Sequence, residues 1–187
     1  MKKLIIAFLT TSLVSACGWH LRGSTSMPLD INSVYVTAED SYGSLVSSLK
    51  QSLASNQVEA VAEASAAQYR IILSNEKQDR RTVSVGNDAL AAEYELSLSV
   101  DYVIENAAGE IISPKATASS FRAYDFDRDA VVAKNEEERL ILAEMRNNVV
   151  QQILRRLRFV SQAQTAQPEA AAESANAEDD VNETGNS

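Results

Sequence analysis

Cys17 is the one cysteine in the chain, and its setting suits acylation rather than catalysis or a disulfide. Met1-Lys2-Lys3 gives a basic start, Leu4 to Leu9 an apolar run, and Leu13-Val14-Ser15-Ala16 a close that ends at the cysteine. That pattern describes a cleaved export signal over residues 1–16. Small residues running directly into a cysteine describe a bacterial lipoprotein, in which Cys17 carries the lipid and opens the mature chain. With no second cysteine, an internal disulfide has no partner. One acyl chain holds a bilayer only marginally, whereas a diacylated and N-acylated cysteine anchors firmly. Gly18, rather than aspartate, follows it, which under the common sorting rule favours the outer membrane. The alternative is a plain exported protein with a chance cysteine near its cleavage site.

The other chemistry-bearing residues form no catalytic set. His20 is the sole histidine and lies beside the expected anchor. Asp125, Asp127 and Asp129 alternate like the start of a calcium loop, but the central glycine of such a loop is missing. A turn rich in helix-capping aspartates accounts for them. There is no glycine-rich phosphate loop and no nucleophile elbow. The expectation is no metal, no cofactor and no enzymatic activity.

Charge narrows the partners. The full chain carries −9, and loss of Lys2 and Lys3 with the signal leaves −11. Six of those charges follow Val160, at Glu169, Glu173, Glu178, Asp179, Asp180 and Glu183, with no lysine or arginine among them. Such a stretch buries too little apolar area to offset its ordering entropy. Residues 161–187 therefore read as a disordered acidic tail, and residues 17–160 as a single anchored domain. A nucleic-acid binder normally shows a basic surface, and the overall charge balance points away from one, leaving open a local basic patch on a mildly acidic domain.

The elements that must position any site follow from periodicity. Ile31 to Ala38 reads as a strand. Tyr42 to Leu53 reads as a helix with Ser41 as its N-cap, because Leu45, Leu49 and Leu53 repeat every four residues. A strand resumes at Gln68, and residues 59–67 are alanine-rich and ambiguous. From Glu93 to Glu105 apolar residues hold every even position, so one face is packed and the other wet. Asn106-Ala107-Ala108-Gly109 makes a hairpin turn, and Val85-Gly86-Asn87-Asp88 another. Three antiparallel strands result, roughly 68–85, 90–105 and 110–124, with Pro114 at a break, bulge or edge. A second helix runs from near Asp129 to about Leu157 on the stripe Leu142, Met145, Val149, Ile153 and Leu157. The expected fold is α+β, a two-layer sandwich. Two helices pack on one face of a four-stranded mixed sheet, in the order β-α-β-β-β-α.

Cys17-Gly18-Trp19-His20-Leu21-Arg22-Gly23 resembles the mature start of the LPS-assembly lipoprotein LptE family, also called rare lipoprotein B. Ala92-Glu93-Tyr94-Glu95-Leu96, Phe121-Arg122-Ala123-Tyr124, Ala133 to Glu138, Glu144-Met145 and Gln151-Gln152-Ile153 extend the resemblance over residues 17–158. It implies an outer-membrane lipoprotein on the periplasmic side. Such a protein assembles with and plugs a β-barrel lipopolysaccharide translocon, LptD, and assists lipopolysaccharide insertion at the cell surface. Lipopolysaccharide phosphates need basic side chains, with arginine suited to bidentate contact. The candidates are Lys134, which sits in a family-like segment, with Arg80, Arg81 and Arg122. Each also reads as an ordinary solvated cation. The competing function is a periplasm-facing lipoprotein module that binds peptidoglycan or another envelope protein.

Overall fold

Even-numbered residues from Leu96 to Ile104 are buried and their odd-numbered neighbours are not, so this one strand defines the inner and outer faces of the sheet. The computed structural model describes residues 31–86 and 91–183, without the side chains of Arg128 and residues 165–183. The elements in chain order are β1 (Ser33–Ala38), α1 (Ser44–Ser55), β2 (Glu59–Val61), a 3-10 turn (Ala64–Ala66) and β3 (Tyr69–Val85). There follow β4 (Ala91–Asn106), β5 (Ile111–Asp125), a second 3-10 turn (Arg128–Ala130) and α2 (Val131–Glu183). Cys17, the segment Gly18 to Arg22 and the turn residues Asn87 and Asp88 lie outside the described residues.

The two-helix α+β sandwich holds, but the four-stranded sheet does not. Five strands run in the order β2-β1-β3-β4-β5. The added strand, β2, pairs parallel with β1 through Ser33–Glu59, Val34–Ala60 and Tyr35–Val61. It falls in the alanine-rich stretch that periodicity left ambiguous. Two of its three side chains are exposed and the third is half-buried, so it carries no alternation to detect. Backbone pairing to an edge holds it, next to the fully inserted Val58. β1 is also parallel to β3, while β3, β4 and β5 form the antiparallel meander.

The core lies between the sheet's inner face and the helices. Leu45, Val46, Leu49 and Leu53 of α1 and Met145, Val149, Val150, Ile153, Leu154 and Leu157 of α2 join the even face of β4 in one cluster. Burying each such side chain contributes about 1.5–3 kcal/mol, so α2 is fixed mainly by this stripe. Among the described side chains, its last core residue is Val160. The expected start of α1 shifts. Gly43, not Ser41, is the N-cap and offers no side-chain bond. Asp40 instead closes the turn, its Oδ1 accepting from the Tyr42 N–H at 3.1 Å. The hairpin between β4 and β5 is as the sequence indicates: Gly109 has φ of 83° and its N–H bonds the Asn106 carbonyl.

An irregularity in β3 decides what faces the helices. Ser74 pairs with Asp101, but Lys77 pairs with Ser99. β3 thus takes three steps where β4 takes two, which makes a β-bulge. Asn75 sits in it at φ 53°, a left-handed conformation that asparagine tolerates better than most residues. Side chains alternate faces at every residue, so one extra residue exchanges the faces of all that follow. Before the bulge Ile71 and Leu73 enter the core. After it Gln78, Arg80 and Thr82 stand beside Leu98, Leu96 and Tyr94 on the helix side.

Candidate functional site

Arg80 and Arg81 are consecutive strand residues and so face opposite sides of the sheet; the bulge decides which of them meets the helices. Arg80 faces α2. Its Nη1 donates to Glu138 Oε2 at 3.0 Å, and its guanidinium lies 4.8 Å from the centre of the Tyr94 ring. The Tyr124 hydroxyl donates to the same Glu138 oxygen at 2.5 Å. Tyr94 also meets Phe126 edge-on at 5.2 Å between ring centres. Arg80 is thereby stacked, charge-paired and half-exposed at once. Hydrogen bonding to Tyr124 and then to Glu138 raises its pKa, keeping it firmly cationic. Burial, with the Glu138 bond, pushes the Tyr124 phenol up to about 12.

Lys134 sits on the first turns of α2. Its Nζ donates to Glu137 Oε2 at 2.8 Å, and only 20% of its side chain is exposed. The Glu137 bond raises its pKa, and the Asp125 and Asp127 carboxylates add to that. Glu137 and Glu138 are consecutive, and Lys134 precedes Glu138 by one helical turn. The structure therefore brings Lys134 and Arg80 to neighbouring carboxylates at one corner of the domain.

The other two candidates stand apart. Arg122 is on the helix side, in the row Arg80–Leu96–Arg122 across β3, β4 and β5. Two strand spacings put its backbone about 9.5 Å from that of Arg80. It bonds the Phe121 carbonyl at 3.1 Å and Glu144 at 3.4 Å, so it sits at the margin of the corner. Arg81 is on the outer face, paired with Glu95 at 2.7 Å. The Glu95 bond raises its pKa, but it does not share a surface with Arg80.

Three residues at this corner escape the sequence reading as site components. Glu137 and Glu138 enter there only within the family-like segment Ala133 to Glu138, and Tyr124 only as part of a strand and its family-like segment. The usable signal was the four-residue spacing of Lys134 and Glu138. The bulge that turns Arg80 toward them leaves no mark in the hydrophobic pattern. Of the alternating aspartates, Asp127 caps the 3-10 turn by accepting from the Asp129 N–H at 2.9 Å. Among the described residues, no group of three or more His, Cys, Asp or Glu side chains could hold a metal ion. No described helix is long and apolar enough to cross a membrane.

The two-helix α+β sandwich is a fold shared with bacterial lipoproteins of known structure. A lipoprotein B from Nitrosomonas europaea superposes with a TM-score of 0.66 at 24% identity, covering 78% of this chain and 94% of that one. The rare lipoprotein B from Shewanella oneidensis gives 0.58 at 25% identity, covering 76% and 99%. A family model described as LptE, Lipopolysaccharide-assembly, matches residues 31–157. The LPS-assembly lipoprotein LptE of Photorhabdus laumondii is 30% identical over 156 residues, 83% of this chain and 85% of its own. That of Pectobacterium atrosepticum is 29% identical over 163 residues, 86% of each. The chain belongs to the LptE family.

Proposed function

We propose that this protein is a non-enzymatic assembly factor of the outer membrane, anchored through Cys17 on the periplasmic side. It seats in a large β-barrel partner of the LptD kind and offers basic side chains to lipopolysaccharide phosphates. The observation that carries the reading is the family match over residues 31–157, nearly the whole folded domain. Two physical features support it. The outer face of β4 presents Glu93, Glu95, Ser97, Ser99 and Asp101, a polar surface suited to the polar interior of a large barrel. Arg80 and Lys134 supply charge-assisted donors for phosphate. Co-purification from detergent-solubilised outer membrane tests the plug: recovery with no large barrel partner overturns it.

A second reading rests on a different observation. Among the described residues, β1 pairs with β3 only as far as Leu73 and no other strand takes that edge beyond it. An open edge takes an extended peptide by strand addition, which would suit a periplasm-facing binding module. Capture of a soluble envelope protein by the mature domain, abolished by a proline within Lys77–Thr82, would favour that reading.

A further inference from the structure

The corner holding Arg80 and Lys134 is already neutralised from within. Arg80 is held by Glu138 at 3.0 Å and Lys134 by Glu137 at 2.8 Å. Both glutamates come from the same turn of α2, and each sits where an incoming anion would bind. The Asp125 and Asp127 carboxylates add negative potential at Lys134. Two cations facing this many carboxylates do not make a strong anion site as they stand. Yet Arg80 has five donors in a planar fork, of which Glu138 takes one. About half of its side chain is exposed. The Tyr94 ring lies 4.8 Å from the guanidinium, a contact that does not involve Glu138.

We propose that Glu137 and Glu138 form a counter-anion latch over a phosphate-monoester site made by Arg80 and Lys134. The inference rests on the lipopolysaccharide reading above and adds its regulation. Each glutamate occupies the donors that a phosphate takes, so binding proceeds by exchange of one anion for another. Exchange keeps the site weak enough to release its cargo, which a protein that passes lipid onward requires.

The test uses the full acylated chain in detergent, with Glu137→Gln and Glu138→Gln made singly and together. Binding is measured to lipopolysaccharide, to the same lipid after enzymatic dephosphorylation, and to inorganic phosphate alone. Exposed ion pairs of this kind are modest, so each substitution is expected to tighten binding of the phosphorylated lipid by about 1.5- to 5-fold. No gain is expected with the dephosphorylated lipid. A parallel gain for inorganic phosphate assigns the latch to phosphate as such; a gain for the lipid alone assigns it to lipid-borne phosphate, and both support the proposal. Glu137 is half-exposed, so its variant keeps the test valid even if Glu138→Gln loosens the fold. Weaker or unchanged binding in both variants overturns the latch, as does an equal gain with dephosphorylated lipid. An Arg80→Ala, Lys134→Ala double variant separates the two levels. If it loses affinity while neither glutamine variant gains, the site stands and the latch falls. If it binds like the wild type, both fall.

Discussion

Gln152 of α2 satisfies both backbone groups of Ser119 on β5. Its Nε2 donates to the Ser119 carbonyl at 2.7 Å and its Oε1 accepts from the Ser119 N–H at 3.3 Å. Ser119 stands opposite Ser99 in an antiparallel pair, and at alternate positions of such a pair both backbone groups point away from the partner strand. A side-chain amide has the same donor and acceptor as a peptide unit, so it fills one slot of an edge that would otherwise template another strand. Arg122 covers the next outward carbonyl, at Phe121.

Gln152→Ala should therefore act in two ways. It removes two hydrogen bonds from a partly buried position, a loss of about 1–3 kcal/mol. It also opens the β5 edge. Urea denaturation should show the lower midpoint, and sedimentation should show concentration-dependent self-association absent from the wild type. A variant as stable and monomeric as the parent would show that the amide guards nothing.

Asn75 holds the bulge, at φ 53° and with its Nδ2 donating to Asp101 Oδ2 at 3.0 Å. Lys115 and Thr117 converge on the same carboxylate, and their bonds hold Asp101 well below the usual carboxylate range. Alanine at position 75 loses the bond and meets left-handed strain of about 1–2 kcal/mol. Glycine loses the bond and some chain entropy but escapes the strain. Equilibrium unfolding should rank the wild type above Asn75→Gly, and Asn75→Gly above Asn75→Ala. The reverse order for the two variants would mean that the strained φ is not maintained in solution.

This bulge also marks where sequence reasoning stops. The run from Tyr94 to Ile104 shows its two faces plainly, because period-two alternation is a direct image of a half-buried strand. The stripe from Met145 to Leu157 is equally plain, because one helical face meets one core. As consecutive strand residues Arg80 and Arg81 must face opposite sides, but only the one-residue slip settles that Arg80, not Arg81, is the partner of α2. β2 is invisible for a different reason. Glu59–Val61 is held by backbone pairing, which leaves no trace in side-chain type. Gly18 to Arg22 carried most of the family resemblance yet lies outside the described residues, so the site rests on residues whose pairing was not legible.

Removal of the acidic segment should leave the domain intact. The described backbone of α2 continues to Glu183, while among the described side chains the core cluster ends at Val160. Pro168 lies within the helix and lacks the donor that an interior turn uses, at a cost of about 3 kcal/mol. We propose that residues beyond 164 act as a solvated spacer. A chain ending at Gln164 should melt within about 0.5 kcal/mol of the parent, and a glutamate-specific protease should cut first at or beyond Glu169. A large loss of stability on truncation would show that the segment packs against the domain.

Glu76 gives the sharpest pH test. It lines a cavity of about 310 Å³ with Glu39, Asp40, Ser74 and Gln78. Burial is the main cause that raises its pKa; the Asp40 carboxylate adds to it, and Arg146 opposes it. A raised carboxyl pKa means that the folded state holds the proton more tightly than the unfolded chain. Its favourable contribution is fully present below the unfolded value, about 4.3. That contribution is lost as pH rises through the higher folded value. At neutral pH the charged group is therefore a liability. Glu76→Gln should be more stable than the wild type at pH 7.5, by less than about 1 kcal/mol because solvent screens a half-exposed group. The advantage should shrink as pH falls and vanish near pH 4. Thermal melts of both proteins at pH 7.5, 5.5 and 4 check this. A glutamine variant that is less stable at pH 7.5, with the deficit closing in acid, would mean that attraction to Arg146 outweighs burial.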